Sequence, residues 1–455
     1  MITLEGNCCK DCKVFTDNIE DEALKLIYSL LSSPMFKGAK IRIMPDVHLG
    51  KGITIGFSCP VGEYVNPSHV GVDVGCGIET IFFQKPLPKD KYALFEHRLK
   101  KAIPTGMKQQ NETQFEEKEF LKFLNTEIQK AYQSSKGLIN FIEFKKDKDI
   151  KDWCDRIGMD VPTFYHSICT LGGGNHFMEY DENEELGKFA FTVHTGSRNL
   201  GQKVHNHWAA LASGPCFDKD ACEKEIKEFV ASWKGATTEI PEHLKAIRAK
   251  YRVSDSDGYL RNEQLKGYLT DMVVAQAYAK YNRMKILEKA SEIMNKIYQK
   301  EGGNKVIDHV ASVHNYIDFQ DMILRKGAIR SYKGEKMIIP FNMRDGLAIC
   351  EGKSNEDWNC TAPHGSGRAI SRSKAKKDIK LDDFIEEMKG IYSTSVCKNT
   401  LDEAPDAYKP TDEIIENIKD TCNILFFMKP KINIKDTSAP TEFWKKRQMK
   451  RKKNY

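Results

Sequence analysis

Apolar and polar residues change their spacing several times along this chain, and the changes divide it into blocks. The first eighty residues read as short strands and turns, as in K-I-R-I-M-P-D-V-H from Lys40 to His48. Residues 90–135 shift to helical spacing, with F-E-E-K-E-F-L-K-F-L-N-T-E-I repeating its apolar positions near the helical period. Strands return over 165–200. A long helical block follows from about Asp218 to Lys300. Its second half sets Leu269, Met272, Val273, Leu287, Ala290, Met294 and Ile297 along one broad face, the mark of core packing. From Ala311 strands dominate again, through Ile338-Ile339-Pro340 and on to F-F-M-K-P-K-I-N-I-K. There is no linker rich in Pro, Gly or Ser and no internal repeat. Glycine-rich motifs fall both before and after the helical block, so sequence-distant pieces are expected to build one site. The pattern predicts a mixed α/β (α+β) fold: a single globular domain over 1–444, with mixed sheets and a helical insertion at about 205–300. Residues 445–455 are expected to form a basic tail.

Composition narrows the class. The chain has 455 residues, 40% hydrophobic and 29% charged, ordinary for a globular protein with a sizeable core. No apolar run approaches the roughly 20 residues needed to span a membrane, and the N-terminus M-I-T-L-E-G-N-C-C-K lacks a secretory stretch. Thirteen scattered cysteines, an odd number, predict reduced thiols in a cytosolic (cytoplasmic) or nuclear protein. The net charge of +6 is misleading until it is located. The last eleven residues, K-K-R-Q-M-K-R-K-K-N-Y, hold seven Lys or Arg and no acid, so the body is close to neutral. Such a tail suits nucleic-acid contact or a localisation signal, or is simply solvated. Phosphate binding by the body must then rely on local clusters.

Those clusters are found where apolar runs meet glycines or small polar residues. Asp73 and Cys76 lie in V-G-V-D-V-G-C-G-I, His176 in L-G-G-G-N-H-F, His194 in F-T-V-H-T-G-S-R and His314 in S-V-H-N-Y. Imidazole, thiolate and carboxylate together suit a borderline divalent metal such as zinc, manganese or iron. Cys76, between two glycines, is expected to be exposed as a thiolate. His364 in A-P-H-G-S-G-R, beside Arg368, reads as a phosphate-handling histidine near the metal. The other histidines (His97, His166, His205, His207, His243 and His309) lack this context and read as surface or core residues. Cys8-Cys9-x-x-Cys12 has half the spacing of a zinc site and no second half, so packing is the better reading. Nucleotide motifs mostly fail: Gly352-Lys353-Ser354 ends like a P-loop, but Leu347 stands where its first glycine should be. No lysine precedes either Asp-Gly pair in the arrangement of lysine-nucleophile ligases.

Taken together, M-P-D-V-H-L-G-K-G, V-G-V-D-V-G-C-G, G-G-G-N-H-F-M-E, V-H-T-G-S-R-N-L-G, R-K-G-A-I, I-P-F-N-M-R-D-G, A-P-H-G-S-G-R and D-E-A-P resemble the segments of RtcB-type RNA ligases, in family order from residue 44 onward. The resemblance implies joining of an RNA 3′-phosphate or 2′,3′-cyclic phosphate to a 5′-hydroxyl, in RNA splicing or repair, with GTP and two manganese ions. It implies Asp73, Cys76, His176, His194 and His314 as metal ligands, Cys76 bridging, and His364 as the histidine that carries GMP covalently before an RNA-3′-ppG end forms. Nucleotide contacts implied are Asn175, His176, Glu179, His314, Asn315, Pro340, Asn342, Met343, Leu347, His364, Gly365, Ser366, Gly367 and Lys435. Asp46 and His48 match the first segment and are expected to support the site, and Arg368 could pair with phosphate oxygens. One departure is visible: the family commonly has a serine where this chain has Leu347, which would loosen one bond to the nucleotide. Implied partners are RNA with such ends and an archease-like activator, and no membrane. Two other classes use the same residues: a metal-dependent phosphoesterase or nuclease, which needs no covalent histidine, and an RNA-binding scaffold without catalysis.

Overall fold

The computed structural model describes residues 1–213, 219–233, 235, 239–250 and 258–438. The tail expected at 445–455 lies outside the described residues. Two sheets carry the architecture, and the mixed α/β class expected from the spacing is what forms. A six-stranded sheet runs in the order Ile2–Leu4, Asp11–Val14, Lys40–His48, Ile55–Pro60, Ile323–Lys326, Tyr316–Asp318. A seven-stranded sheet runs Lys336–Asn342, Gly346–Gly352, Cys422–Ile434, Phe177–Asn183, Lys188–Thr195, Gly77–Phe83, Val306–Val313. Ala328–Arg330 and Thr361–Pro363 form a two-stranded ribbon. Both larger sheets take strands from before and after the helical block.

Prolines sit where the ladders tolerate them. Pro340 is on Lys336–Asn342, an edge strand, and Pro430 is at a register shift within Cys422–Ile434. A missing N–H costs little at either position. The helix Asn262–Ile297 packs against the strands Lys188–Thr195 and Gly77–Phe83. Leu269, Met272, Val273, Leu287, Ala290 and Met294 are buried as expected. Tyr268, Tyr278, Tyr281 and Ala275 are buried too, so the helix is enclosed on more than the one face its spacing suggested. A helix apolar most of the way round is a core helix. Buried Asp271 on it is paired: it accepts from the indoles of Trp153 (2.9 Å) and Trp208 (2.7 Å) and from Arg156.

The N-terminal region departs from expectation. Asp21–Leu31 is a helix, not strand and turn, with Ala23, Ile27, Leu30 and Leu31 buried and two acids in its first turn. Short strands surround it in sequence and mask its period. No helix among the described residues is long and apolar enough to cross a membrane. Cys9 and Cys12 are packed in the main core, as the bland reading held.

Candidate active site

The seven-stranded sheet brings four metal-type donors to one end of four neighbouring strands. Cys76 directly precedes Gly77–Phe83, whose Gly77 pairs with Thr195 on one side and Val313 on the other. His194 is thus beside Cys76 on Lys188–Thr195, His314 follows Val313, and His176 precedes Phe177, which pairs with His194. Strand pairing, not sequence proximity, assembles the set.

The donor atoms face one another. Cys76 Sγ lies 3.5 Å from His176 Nε2 and 3.3 Å from His194 Nε2, and all three residues are buried. Asp73 Oδ2 extends the cluster on one side, 2.9 Å from His176 Nε2. His314 Nε2 extends it on the other, 3.4 Å from His194 Nε2. Two overlapping groups result, Asp73–His176–Cys76 and Cys76–His194–His314, with the thiol common to both. Cys76 is 3% exposed, which corrects the expectation of an exposed thiol: Gln276 and Arg283 pack closely against the glycines on either side of it.

Electrostatics expose what the cluster lacks. Burial alone would raise the Asp73 carboxyl, but the hydrogen bond and charge of His176 hold it at about 2. Burial and then neighbouring imidazoles keep His194 and His314 well below the usual imidazole range. Burial and then Asp73 push the Cys76 thiol well above its own. Convergent lone pairs on buried groups call for a cation, which would deprotonate the thiol and keep the imidazoles neutral. His194 Nδ1 donates to Asn175 O at 3.2 Å, which turns its Nε2 lone pair into the cluster. Cys76, His176 and His194 can hold a metal ion. Their mixture of sulfur and nitrogen fits a borderline divalent one.

From behind, the helix Asn262–Ile297 locks the loops. Buried Arg283 donates Nε to Glu79 Oε1 (2.8 Å) and Nη1 to the carbonyls of Gly75 (2.9 Å) and Thr195 (3.0 Å), next to Cys76 and His194. Ser197 N donates to Asp73 Oδ1 at 3.1 Å. Asn315, with positive φ, bonds Asp73 O and Gly327 N, so its amide braces loops.

His364 adjoins this cluster, its ring centroid 4.8 Å from that of His314. It follows the ribbon strand Thr361–Pro363, and fully buried Asp46, from Lys40–His48, reaches it. Asp46 Oδ2 accepts from His364 Nδ1 at 2.6 Å and from His364 N at 3.2 Å. That occupies Nδ1 and leaves Nε2 free. His48 Nδ1 donates to Asp46 O at 2.9 Å, and burial lowers the His48 imidazole to about 4. Gly367 has φ +71°, and a Cβ there would run into the Asp46 carbonyl, so this turn requires glycine.

A cavity of about 350 Å³ opens over His364 and His194. Asn175, Glu179, Pro340, Asn342, Met343, Gly365, Ser366, Gly367, Arg368 and Lys435 line it, as does His48. Asn315, His176, His314 and Leu347 are not among its lining residues. Leu347 is fully buried in an apolar cluster with Ile338, Ile349 and Met428, so a serine-like contact is absent here because the side chain belongs to the core. Residues without a role in the sequence reading also line the cavity: Phe177, Arg372, Tyr408 and Asn433. Beneath them Glu403 collects Lys435 Nζ (2.9 Å), the Tyr408 hydroxyl (2.6 Å), Arg372 and, at 3.6 Å, Arg368. Burial would raise Glu403, but Lys435, Arg372 and Arg368 hold it well below the carboxylate range. Its signal was present, since Glu403 stands in D-E-A-P, and Arg372 follows Arg368 by four residues. Arg368, Arg372 and Lys435 thus bring cationic groups to the cavity wall, held in place by Glu403 and, for Arg372, by Asp402, where they can meet phosphates.

A family model described as tRNA-splicing ligase RtcB matches residues 30–436. The RNA-splicing ligase RtcB of Escherichia coli (strain K12) is 26% identical over 442 residues, covering 92% of this chain and 95% of its own length. The tRNA-splicing ligase RtcB of Aeropyrum pernix is 24% identical over 430 residues, covering 82% and 83%. That of Methanococcus maripaludis is 24% identical over 476 residues, covering 92% and 91%. The matched span runs from before the strand that carries Asp46 to just beyond Lys435, taking in the seven-stranded sheet, all but the first two strands of the six-stranded one and every lining residue of the cavity except Glu20, and on that extent the chain belongs to the RtcB family.

Proposed function

We propose that this protein is a GTP- and manganese-dependent RNA ligase that joins 3′-phosphate or 2′,3′-cyclic phosphate ends to 5′-hydroxyl ends, the single ligase domain being residues 1–444. The observation that carries the reading is the Asp46–His364 pair at the edge of a buried metal-type cluster. Its relatives' names, RNA-splicing and tRNA-splicing ligase, point the same way.

His364 Nε2 attacks the α-phosphorus of GTP. A P–N bond forms, the bond to the bridging oxygen breaks, and pyrophosphate leaves. Asp46 holds Nδ1–H throughout and stabilises the positive charge the ring acquires. The RNA 3′-phosphate oxygen then displaces histidine from phosphorus, giving an RNA-3′-ppG end. A 5′-hydroxyl attacks the RNA phosphorus, forms the 3′,5′-diester and expels GMP. Cyclic ends are first opened by water to the 3′-phosphate. Asp73, Cys76, His176, His194 and His314 would hold two manganese ions, Cys76 shared, and these ions would supply charge neutralisation and alignment for the phosphates. Arg368 and Arg372 offer cations to the phosphates, while Glu179, Asn433 and Lys435 meet the base.

The test is covalent labelling. Wild-type protein with manganese and α-labelled GTP should retain label after denaturation. His364→Ala should retain none, yet should keep its metal and still seal RNA that already carries a 3′-ppG end. Full 3′-phosphate ligation by His364→Ala would overturn the mechanism. Metal-dependent phosphate release with no label on wild type would favour a phosphoesterase instead.

A further inference from the structure

Of a pair of acids at the cavity, the chemistry above uses Glu179 and leaves the one beneath it without a role. Side chains alternate along Phe177–Asn183, so Glu179 and Asp181 point to the same side of the sheet. Glu179 lines the cavity and Asp181, fully buried, supports it from behind. Alternation thus sets the two carboxyl groups side by side, close enough for a hydrogen bond between them. Two carboxyls can share such a bond only if one holds a proton.

The surroundings decide which one. Burial raises both carboxyls, but Glu179 Oε2 accepts from Asn433 Nδ2 at 2.5 Å and the nearby Lys435 charge favours its anion. Asp181 Oδ2 accepts only a neutral hydroxyl, Thr192 Oγ1 at 3.1 Å, itself 3.0 Å from Thr80 Oγ1. Asp181 Oδ1 is buried without a hydrogen-bond donor among the described residues. The proton therefore belongs to Asp181. Burial, and then the charge of Glu179, push its carboxyl well above the usual range, in the same sense.

A protonated carboxyl behind an ionised one does two things. It removes the repulsion that would turn Glu179 aside, and it spends one lone pair of Glu179 while leaving others toward the cavity. The cavity then meets its ligand with a fixed acceptor. We propose that Asp181 is a positioning residue for base choice: it donates to Glu179 and so fixes Glu179 as acceptor for a base presenting two adjacent N–H donors, as guanine does with N1–H and its 2-amino group. Adenine offers an acceptor at N1 and is repelled. The inference rests on the nucleotide-binding reading of the cavity.

Equilibrium binding of GMP, IMP and AMP to the full chain, with KM and kcat of labelling by GTP and ATP, tests it. Asp181→Ala should weaken GMP binding and raise the GTP KM by about tenfold, the scale of one lost buried hydrogen bond. The GMP-over-AMP preference should shrink in parallel, with kcat little changed. Asp181→Asn should restore the preference, since its amide donates to Glu179 while its carbonyl accepts from Thr192. IMP, without the 2-amino group, should bind wild type less well than GMP and be less sensitive to Asp181→Ala. Loss of preference in Asp181→Asn would overturn the proposal even if Asp181→Ala failed to fold, as would unchanged preference in a folded Asp181→Ala. Wild-type protein that bound none of the three nucleotides would remove the nucleotide reading itself, and this proposal with it.

Discussion

One oxygen, Asp46 Oδ2, occupies both the backbone N–H and the ring Nδ1 of His364. A neutral imidazole has one acceptor nitrogen, so this contact sets the tautomer as well as the angle of the ring. Asp46→Ala should lower the rate of covalent labelling by roughly 10²- to 10⁴-fold, the range over which positioned acid–base partners act. Its metal content should not change, because Asp46 does not touch the Cys76 cluster. Labelling kinetics with metal analysis check both halves. Much of this was legible in the residues alone. Asp73, Cys76, His176, His194, His314 and His364 each stand at the end of an apolar run beside glycine or a small polar residue, and the structure gathers them. Leu347, Asn315 and the Glu403 network were not legible in the same way. Whether a side chain turns into a cavity or a core depends on strand register, and Leu347 turns into the core.

A single helix explains why the loops around Cys76 and His194 keep their shape. Asn262–Ile297 delivers Arg283 to the carbonyls of Gly75 and Thr195 and to Glu79, with both charges buried. Arg283→Ala should cost about 3–5 kcal/mol, because it strands a buried carboxylate, and should lower metal affinity by freeing both loops. Denaturant unfolding and metal titration on the same variant measure the two effects. The period of this helix was plain in the chain, and so was its stripe from Leu269 to Met294. Its remaining faces were not, because a helix enclosed on several sides looks amphipathic wherever buried polar residues such as Asp271, Asn282 and Arg283 interrupt it. Asp21–Leu31 was missed for the opposite reason: eleven residues between short strands give too few turns for the period to stand out.

For the molecule as a whole, buried neutral imidazoles set an acid limit. Burial lowers His48 to about 4 and His69 to about 3, from 6.5. The unfolded chain takes up protons below 6.5 that the folded chain refuses, so stability is full above that pH and falls as pH drops toward 4. Unfolding midpoints measured between pH 7 and 4 should decline over this window, and His69→Gln should make the decline shallower. The mixed class and the assembly of distant segments were foreseeable from the two strand-rich regions either side of the helices. The strand order was not, since no local spacing encodes which strand lies beside which. That order has a consequence for synthesis. Cys422–Ile434, the last strand among the described residues to be synthesised, does not join an edge; it is inserted between Gly346–Gly352 and Phe177–Asn183, bringing Asn433 and Lys435 with it. Until it arrives the seven-stranded sheet is two separate pieces and the cavity has no floor, so a nascent chain stalled before residue 422 carries every metal-type donor and His364 yet has nowhere to seat a nucleotide.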